Sequence, residues 1–209
     1  MLPQIFKNEN LFDTQIEKVS RELNIPFELI KAIITIESAF NPKAYRYEAH
    51  RKDASYGLCQ IMYQTAKGLG FKGKPEDLYD PYTNIFWSGT YLKYIINTYK
   101  DIDKTFASYN MGLPRLAKDT TKIIISIYGQ PQPDWKFANQ PYVSKGLAYF
   151  FYFKAIRNKN IQDSWQIYKL IKNKKYNDVA KQFSKSINLL PIIFATIPLI
   201  ILLAFLKKK

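Results

Sequence analysis

Glu37 is the residue whose type and setting best suit chemistry. It ends an apolar run, Pro26 to Glu37, and lies seven residues after Ile30, four after Ile33 and three after Ile34. On a helix these positions share one face. A carboxyl on an apolar face is paired, protonated or catalytic. Desolvation raises its pKa, which is what a general acid working near neutral pH needs. Other chemistries are short of residues. The lone histidine, His50, argues against a zinc hydrolase, and with no Gly-x-Ser-x-Gly elbow in the chain it does not suggest a serine triad. The lone cysteine, Cys59, excludes an intrachain disulfide and a cysteine-based metal cluster. No cofactor and no metal is expected.

The elements that must position Glu37 read as helices. Asp13-Thr14 can cap a first helix from about Gln15 to Leu23. The second runs from Pro26 to about Ser38 and stops before Asn41-Pro42. Residues 41–56 are polar, carry charges of both signs and read as a loop. Helical patterns return over Leu58–Gly68, Thr83–Tyr99 and from Asp103 to Asn110. Pro75 to Pro81 reads as a turn, and the proline-rich stretch 129–141 as an irregular excursion. Tyr142 to Ile156 is helical and strongly aromatic. No run sustains strand alternation, so the fold class expected is mostly α.

Composition narrows the partners. The chain has 209 residues, 47% of them hydrophobic, and a formal net charge of +14. That length supports one domain with a full core plus an appendage. The charge points to an anionic partner: nucleic acid, a lipid surface or an acidic wall polymer. No nucleic-acid motif is present, so nucleic acid is not expected. The abundance of tyrosine, 16 residues, suits sugar stacking as well as ordinary core packing.

Four segments read together carry more than Glu37 alone. They are Glu37-Ser38-Ala39-Phe40-Asn41-Pro42, then Ser55-Tyr56-Gly57-Leu58-Cys59-Gln60-Ile61-Met62, then Asp80-Pro81 with Asn84 and Gly89, and Ala107-Ser108-Tyr109-Asn110-Met111-Gly112. In order and spacing, from about residue 13 to 150, the chain resembles the soluble-lytic-transglycosylase-like (SLT) family of lysozyme-like enzymes that cleave peptidoglycan. The resemblance implies Glu37 as the catalytic acid. It implies substrate contacts from Ser38, Gly57, Gln60, Met62, Tyr109, Asn110 and Tyr142. The Tyr matching Tyr109 lies close to the acid in the family, and Tyr142-Val143 matches a late motif that helps close the groove. The implied reaction breaks the β-1,4 bond between N-acetylmuramic acid and N-acetylglucosamine. One carboxyl acts as acid and then as base, and 1,6-anhydromuramic ends form.

Each residue also has its own reading. Gly57 allows a tight turn and close approach of sugar to main chain. Gln60 is neutral and offers both a donor and an acceptor. Tyr109 sets a hydroxyl beside an apolar ring. Ser38, Asn84 and Gly89 suit structural duties. Glu48 and Asp53, in the loop before Gly57, could supply the second carboxylate of a hydrolytic lysozyme, so hydrolysis stays an alternative. A non-catalytic wall-binding or assembly protein is another. The chain also departs from the family pattern. Cys59 stands where Met is usual, Met111 follows Tyr-Asn where Ala is usual, and the Pro42–Ser55 loop is longer. Residues 137–140 lack the acid often seen before the Tyr-Val motif.

Beyond Phe153 the character changes. Residues 154–185 hold nine Lys or Arg against Asp163 and Asp178, with Ile161, Trp165, Tyr168, Leu170 and Ile171 among them. That pattern suits either an interfacial helix beside anionic lipid or a solvated stalk. Ile187 to Leu206 is 20 residues without a charge, followed by three lysines. At about 1.5 Å per residue it matches a bilayer core of about 30 Å. The organisation expected is therefore a lysozyme-like catalytic domain over 1–153, a basic juxtamembrane segment over 154–186 and a C-terminal transmembrane anchor over 187–209. The lipid bilayer would be a partner through Ile187–Leu206, with peptidoglycan strands as substrate and envelope or virion assembly proteins as further partners. Met1 to Phe12 has no apolar stretch suited to a signal peptide. The catalytic domain is expected to face the cell wall from the cell envelope, or from the membrane of a phage virion.

Overall fold

A computed structural model describes residues 2–112 and 136–183. Two helices that are buried nearly all round form its centre. The first, α2 (Phe27–Ser38), follows α1 (Asp13–Leu23) and buries every residue from Leu29 to Thr35. Pro26, extended at φ −61°, precedes its first turn, as its ring geometry favours. The second, α6 (Gln140–Arg157), buries Tyr142, Val143 and the run Gly146–Phe153. Helices apolar on all sides belong inside a domain, and these two pack on one another. Around them lie α4 (Pro81–Tyr99) and α5 (Ile102–Met111), capped by the carboxylates of Asp80 and Asp101. Gly146 seats α6 against α5: a Cβ there would come within 2.4 Å of the Phe106 ring.

The stretch read as a polar loop holds a small sheet. Strands β1 (Tyr45–Glu48), β2 (Asp53–Tyr56) and β3 (Ile61–Met62) are antiparallel in that order. Tyr45 faces Tyr56 and Glu48 faces Asp53. Strands this short, with charges on alternate positions, give almost no periodic signal. The sheet and the short α3 (Tyr63–Gly68) rest on their own apolar cluster of Ile61, Ala66, Phe71 and Leu78. The main core and this lobe flank a cleft.

The basic segment folds back on the core. The helix α6 runs through Phe153 to Arg157, and α7 (Ile161–Lys172) and α8 (Tyr176–Phe183) pack against it. They bury Ile167, Ile171 and Val179 in the same cluster as α2. Arg157 binds Glu17 of α1 at 2.8 Å.

The expected fold class needs correction at its C-terminal end. The mostly helical, lysozyme-like part stands, but the transmembrane helix does not. No helix among the described residues is long and apolar enough to cross a membrane. The longest, α4 and α6, pack into the core and interleave polar and charged residues such as Asn84, Lys93, Lys145 and Lys154. The charge-free run 187–206 lies outside the described residues, as does most of the excursion 129–141.

Candidate active site

Glu37 sits in the last turn of α2, where the helix stops abruptly. Ala39 (φ 49°) and Phe40 (φ 67°) both take the left-handed conformation. Two consecutive non-glycine residues there cost on the order of 1–3 kcal/mol each. The burial of the Phe40 ring, 5.9 Å from that of Phe6, holds the turn in place. Two depressions meet at Glu37. One, enclosing about 270 Å³, runs between Tyr91, Tyr109 and Met111 on the helical side and Glu48, Gln60 and Met62 on the sheet side. The other opens past Ser38 and Asn41 toward Lys43, Tyr45 and Lys145. Together they make a trough with Glu37 at its middle, a shape suited to a polymer.

The Glu37 residue stays partly accessible while its carboxyl is enclosed by protein. Burial raises its pKa to about 7. Three groups pull the other way: the Tyr142 hydroxyl, then Arg46, then Lys145. Tyr142 donates its phenol proton to Glu37 Oε1 at 2.5 Å, across 105 residues of sequence. Burial wins, so near neutral pH the group can hold a proton or release it. Lys145 lies one turn beyond Tyr142 on α6 and is partly desolvated, which lowers its own pKa.

The other anticipated residues divide into two groups. Tyr109, Asn110, Met62 and Gln60 line the trough with Glu37. Tyr109 does not bond the acid: its hydroxyl donates to the Cys59 carbonyl at 2.8 Å, and burial raises its pKa. Its ring stands 5.6 Å from that of Tyr91. The side chain of Gln60 has its bonds within the loop. Its amide donates to the carbonyls of Ala44 and Gly57 at 3.0 Å each, and its oxygen accepts from Ser55 at 3.1 Å. Asn110 accepts from Asn139 at 3.1 Å. Ser38 returns its hydroxyl to the Ile34 carbonyl at 3.2 Å.

Gly57 and Asn84 join the sheet lobe to α4. Gly57 has φ 69°, and a Cβ there would come within 2.5 Å of the Asn84 amide and 2.6 Å of the Leu78 carbonyl. The fully buried Asn84 donates to the carbonyls of Tyr56 and Leu78 at 2.7 Å and accepts from the Cys59 N–H at 2.8 Å. Both candidate second carboxylates are occupied. Asp53 is buried and accepts from the N–H groups of Ala54 and Gln64, tying β2 to α3. Glu48 lines the trough but is paired with Arg46 at 2.8 Å. Sequence reasoning placed Tyr109 near the acid, and the two line one depression; the direct bond to the acid comes from Tyr142. That reasoning missed Arg46 and Lys145 as neighbouring charges. The one available signal was that Lys145 falls three residues after Tyr142, on the same helical face.

A helical core, a small sheet lobe and an enclosed acid midway along the trough between them define a lysozyme-like domain. The transglycosylase SLT domain family matches residues 14–122, just over half of the 209-residue chain, and the chain belongs to that family. The membrane-bound lytic murein transglycosylase C of Shigella sonnei is 36% identical over 93 residues, covering 41% of this chain and 24% of its own. The Escherichia coli 70-kDa soluble lytic transglycosylase superposes with a TM-score of 0.52 at 26% identity, over 68% of this chain and 24% of that one. A complex of a 70-kDa soluble lytic transglycosylase with bulgecin A gives 0.56 at 26% identity, over 71% and 25%. The chain spans about a quarter of the length of the curated relatives it matches.

Proposed function

We propose that this protein is a peptidoglycan lytic transglycosylase with Glu37 as its single catalytic carboxyl. The observation that carries the reading is the setting of that group. It is enclosed, held near neutral pKa and bonded by Tyr142, while the two candidate second carboxyls, Asp53 and Glu48, are engaged elsewhere. Family membership and the lytic transglycosylase names of the relatives support the substrate.

In the proposed cycle, protonated Glu37 gives its proton to the oxygen linking N-acetylmuramic acid to N-acetylglucosamine, and the C1–O bond breaks. The carboxylate left behind is stabilised by the Tyr142 hydroxyl. It then takes the proton from the muramic C6 hydroxyl as O6 bonds to C1. The ring closes as a 1,6-anhydro product, no water is consumed, and Glu37 is protonated again. The Tyr109 hydroxyl and Asn110 flank the reacting sugar, and Met62 and Gln60 form the opposite wall.

Glu37→Gln should abolish clearing of purified sacculi while keeping the helical circular-dichroism spectrum. Mass spectrometry of wild-type digests should show anhydromuramyl ends. The retained position of Glu48 on the trough favours one second reading, hydrolysis, for which the same spectra would show reducing ends alone. Clearing by Glu37→Gln would remove the carboxyl from its role. The setting proposed is local opening of the wall, in phage entry, secretion or wall remodelling. Recovery of the protein in purified virions or in envelope fractions tests which.

A further inference from the structure

The sheet that closes one side of the trough has an outer, aromatic face that meets the trough at Tyr45. On β1, Arg46 and Glu48 alternate with Tyr45 and Tyr47 and line the trough. The two tyrosines project from the opposite side of the strand and are 55% and 58% exposed. Few large apolar side chains among the described residues are so open, since Leu11, Ile161 and Trp165 are the others. Tyr45 does not stand alone. Its ring meets Tyr56 edge-on at 5.4 Å, and Tyr56 meets Tyr79 edge-on at 5.5 Å. The Lys43 ammonium lies 5.2 Å over the Tyr79 ring. The ladder is thus continuous, locked by its own edge-to-face contacts and bordered by a cation.

Its position points to an occupant. Tyr45 and Lys43 also wall the depression in which Glu37 sits, so the aromatic face begins where the trough ends. A strand leaving the trough on that side passes directly onto it. Pyranose rings present apolar C–H faces and polar edges. Exposed tyrosines match both, with a ring face for the first and a hydroxyl for the second. Exposed aromatics at an edge strand also carry an aggregation cost, so their retention beside a polymer trough suits a contact function.

We propose that the outer face of the β1–β2 hairpin, Tyr45 and Tyr47 with Tyr56 and Tyr79 behind them, is a second, non-catalytic contact for the glycan strand. This rests on reading the trough as a peptidoglycan site. The contact holds the polymer after it leaves Glu37, and it acts by stacking, so it survives salt that screens the chain's positive charge.

The test is binding in a Glu37→Gln background, where sacculi stay intact. Co-sedimentation with purified sacculi at high salt is compared for this parent and for the same chain carrying Tyr45→Ala and Tyr47→Ala. The proposal expects the alanine pair to bind about fivefold more weakly or less tightly still. It expects Tyr45→Phe with Tyr47→Phe, which keeps the ring faces and loses only the hydroxyls, to bind more tightly than the alanine pair and within about twofold of the parent. Matched thermal midpoints certify the fold. Should the alanine pair lower the midpoint, Tyr47→Ser alone, at an exposed position, is expected to weaken binding about twofold to threefold. Equal binding of parent and variants overturns the proposal. So does a difference seen only at low salt, which would assign binding to charge. Failure of the wild type to clear sacculi would sink the catalytic reading, yet this binding comparison would still be decided.

Discussion

At Glu37 the balance between burial and its neighbours makes distinct pH predictions. On the proposed mechanism, a pKa of about 7 leaves half the molecules without the acid's proton near neutrality, so activity should fall as pH rises above that point. Tyr142→Phe removes the strongest influence holding the pKa down. Its alkaline limb should move upward by roughly one unit, with turnover at pH 7 reduced about tenfold. An unshifted profile would mean that Tyr142 only packs. The same group bears on stability. Its folded pKa lies above its ordinary 4.5, so its contribution is full below pH 4.5 and is lost as pH rises through 7. Glu37→Gln should therefore match the wild type at pH 4 and exceed it at pH 8 by about 3 kcal/mol in urea unfolding. Glu37 was legible in the sequence because three isoleucines at helical spacing placed an acid on their face. Its bond to Tyr142 was not, since no local pattern links residues 105 positions apart.

Among the elements, most helices were legible and the sheet was not, for a physical reason; the helix expected from Leu58 begins only at Tyr63, after β3. Buried helices repeat an apolar pattern over ten or more residues, and Asp80, Asp101 and Pro26 punctuate them. The sheet consists of strands of four residues or fewer, and its stability comes from elsewhere in the chain. Asn84 on α4 bonds three backbone groups across the lobe, and Gly57 lets that amide come close. Gly57→Ala places a Cβ against the Asn84 side chain and the Leu78 carbonyl in a left-handed backbone. A loss of about 2–4 kcal/mol is expected, read by thermal or urea unfolding. The same substitution should raise KM for sacculi, because Gln60 and Met62 ride on this lobe.

For the whole molecule, α7 and α8 belong to the core rather than to a separate tether. Their composition reads as basic and amphipathic, and the sequence alone leaves open what the apolar stripe faces. In the structure it faces α6, through Ile167, Ile171 and Val179. Truncation after Asn158 uncovers three aliphatic side chains' worth of contact on α6. The thermal midpoint should fall by roughly 10 °C or more, or the product should be insoluble. An unchanged midpoint would make α7 and α8 an appendage after all.

The Tyr142–Glu37 bond also sets a schedule. Its two ends are supplied by the first and the last of the large buried helices among the described residues, so the pair closes only after the chain has been made through Tyr142. Synthesis runs from the N-terminus, and contacts between distant segments form late. A nascent or prematurely ended chain that stops before α6 carries Glu37 but neither Tyr142 nor Lys145, and has no packed helix to enclose the acid. On the proposed mechanism, competence to cut therefore comes only once α6 has packed beside α2.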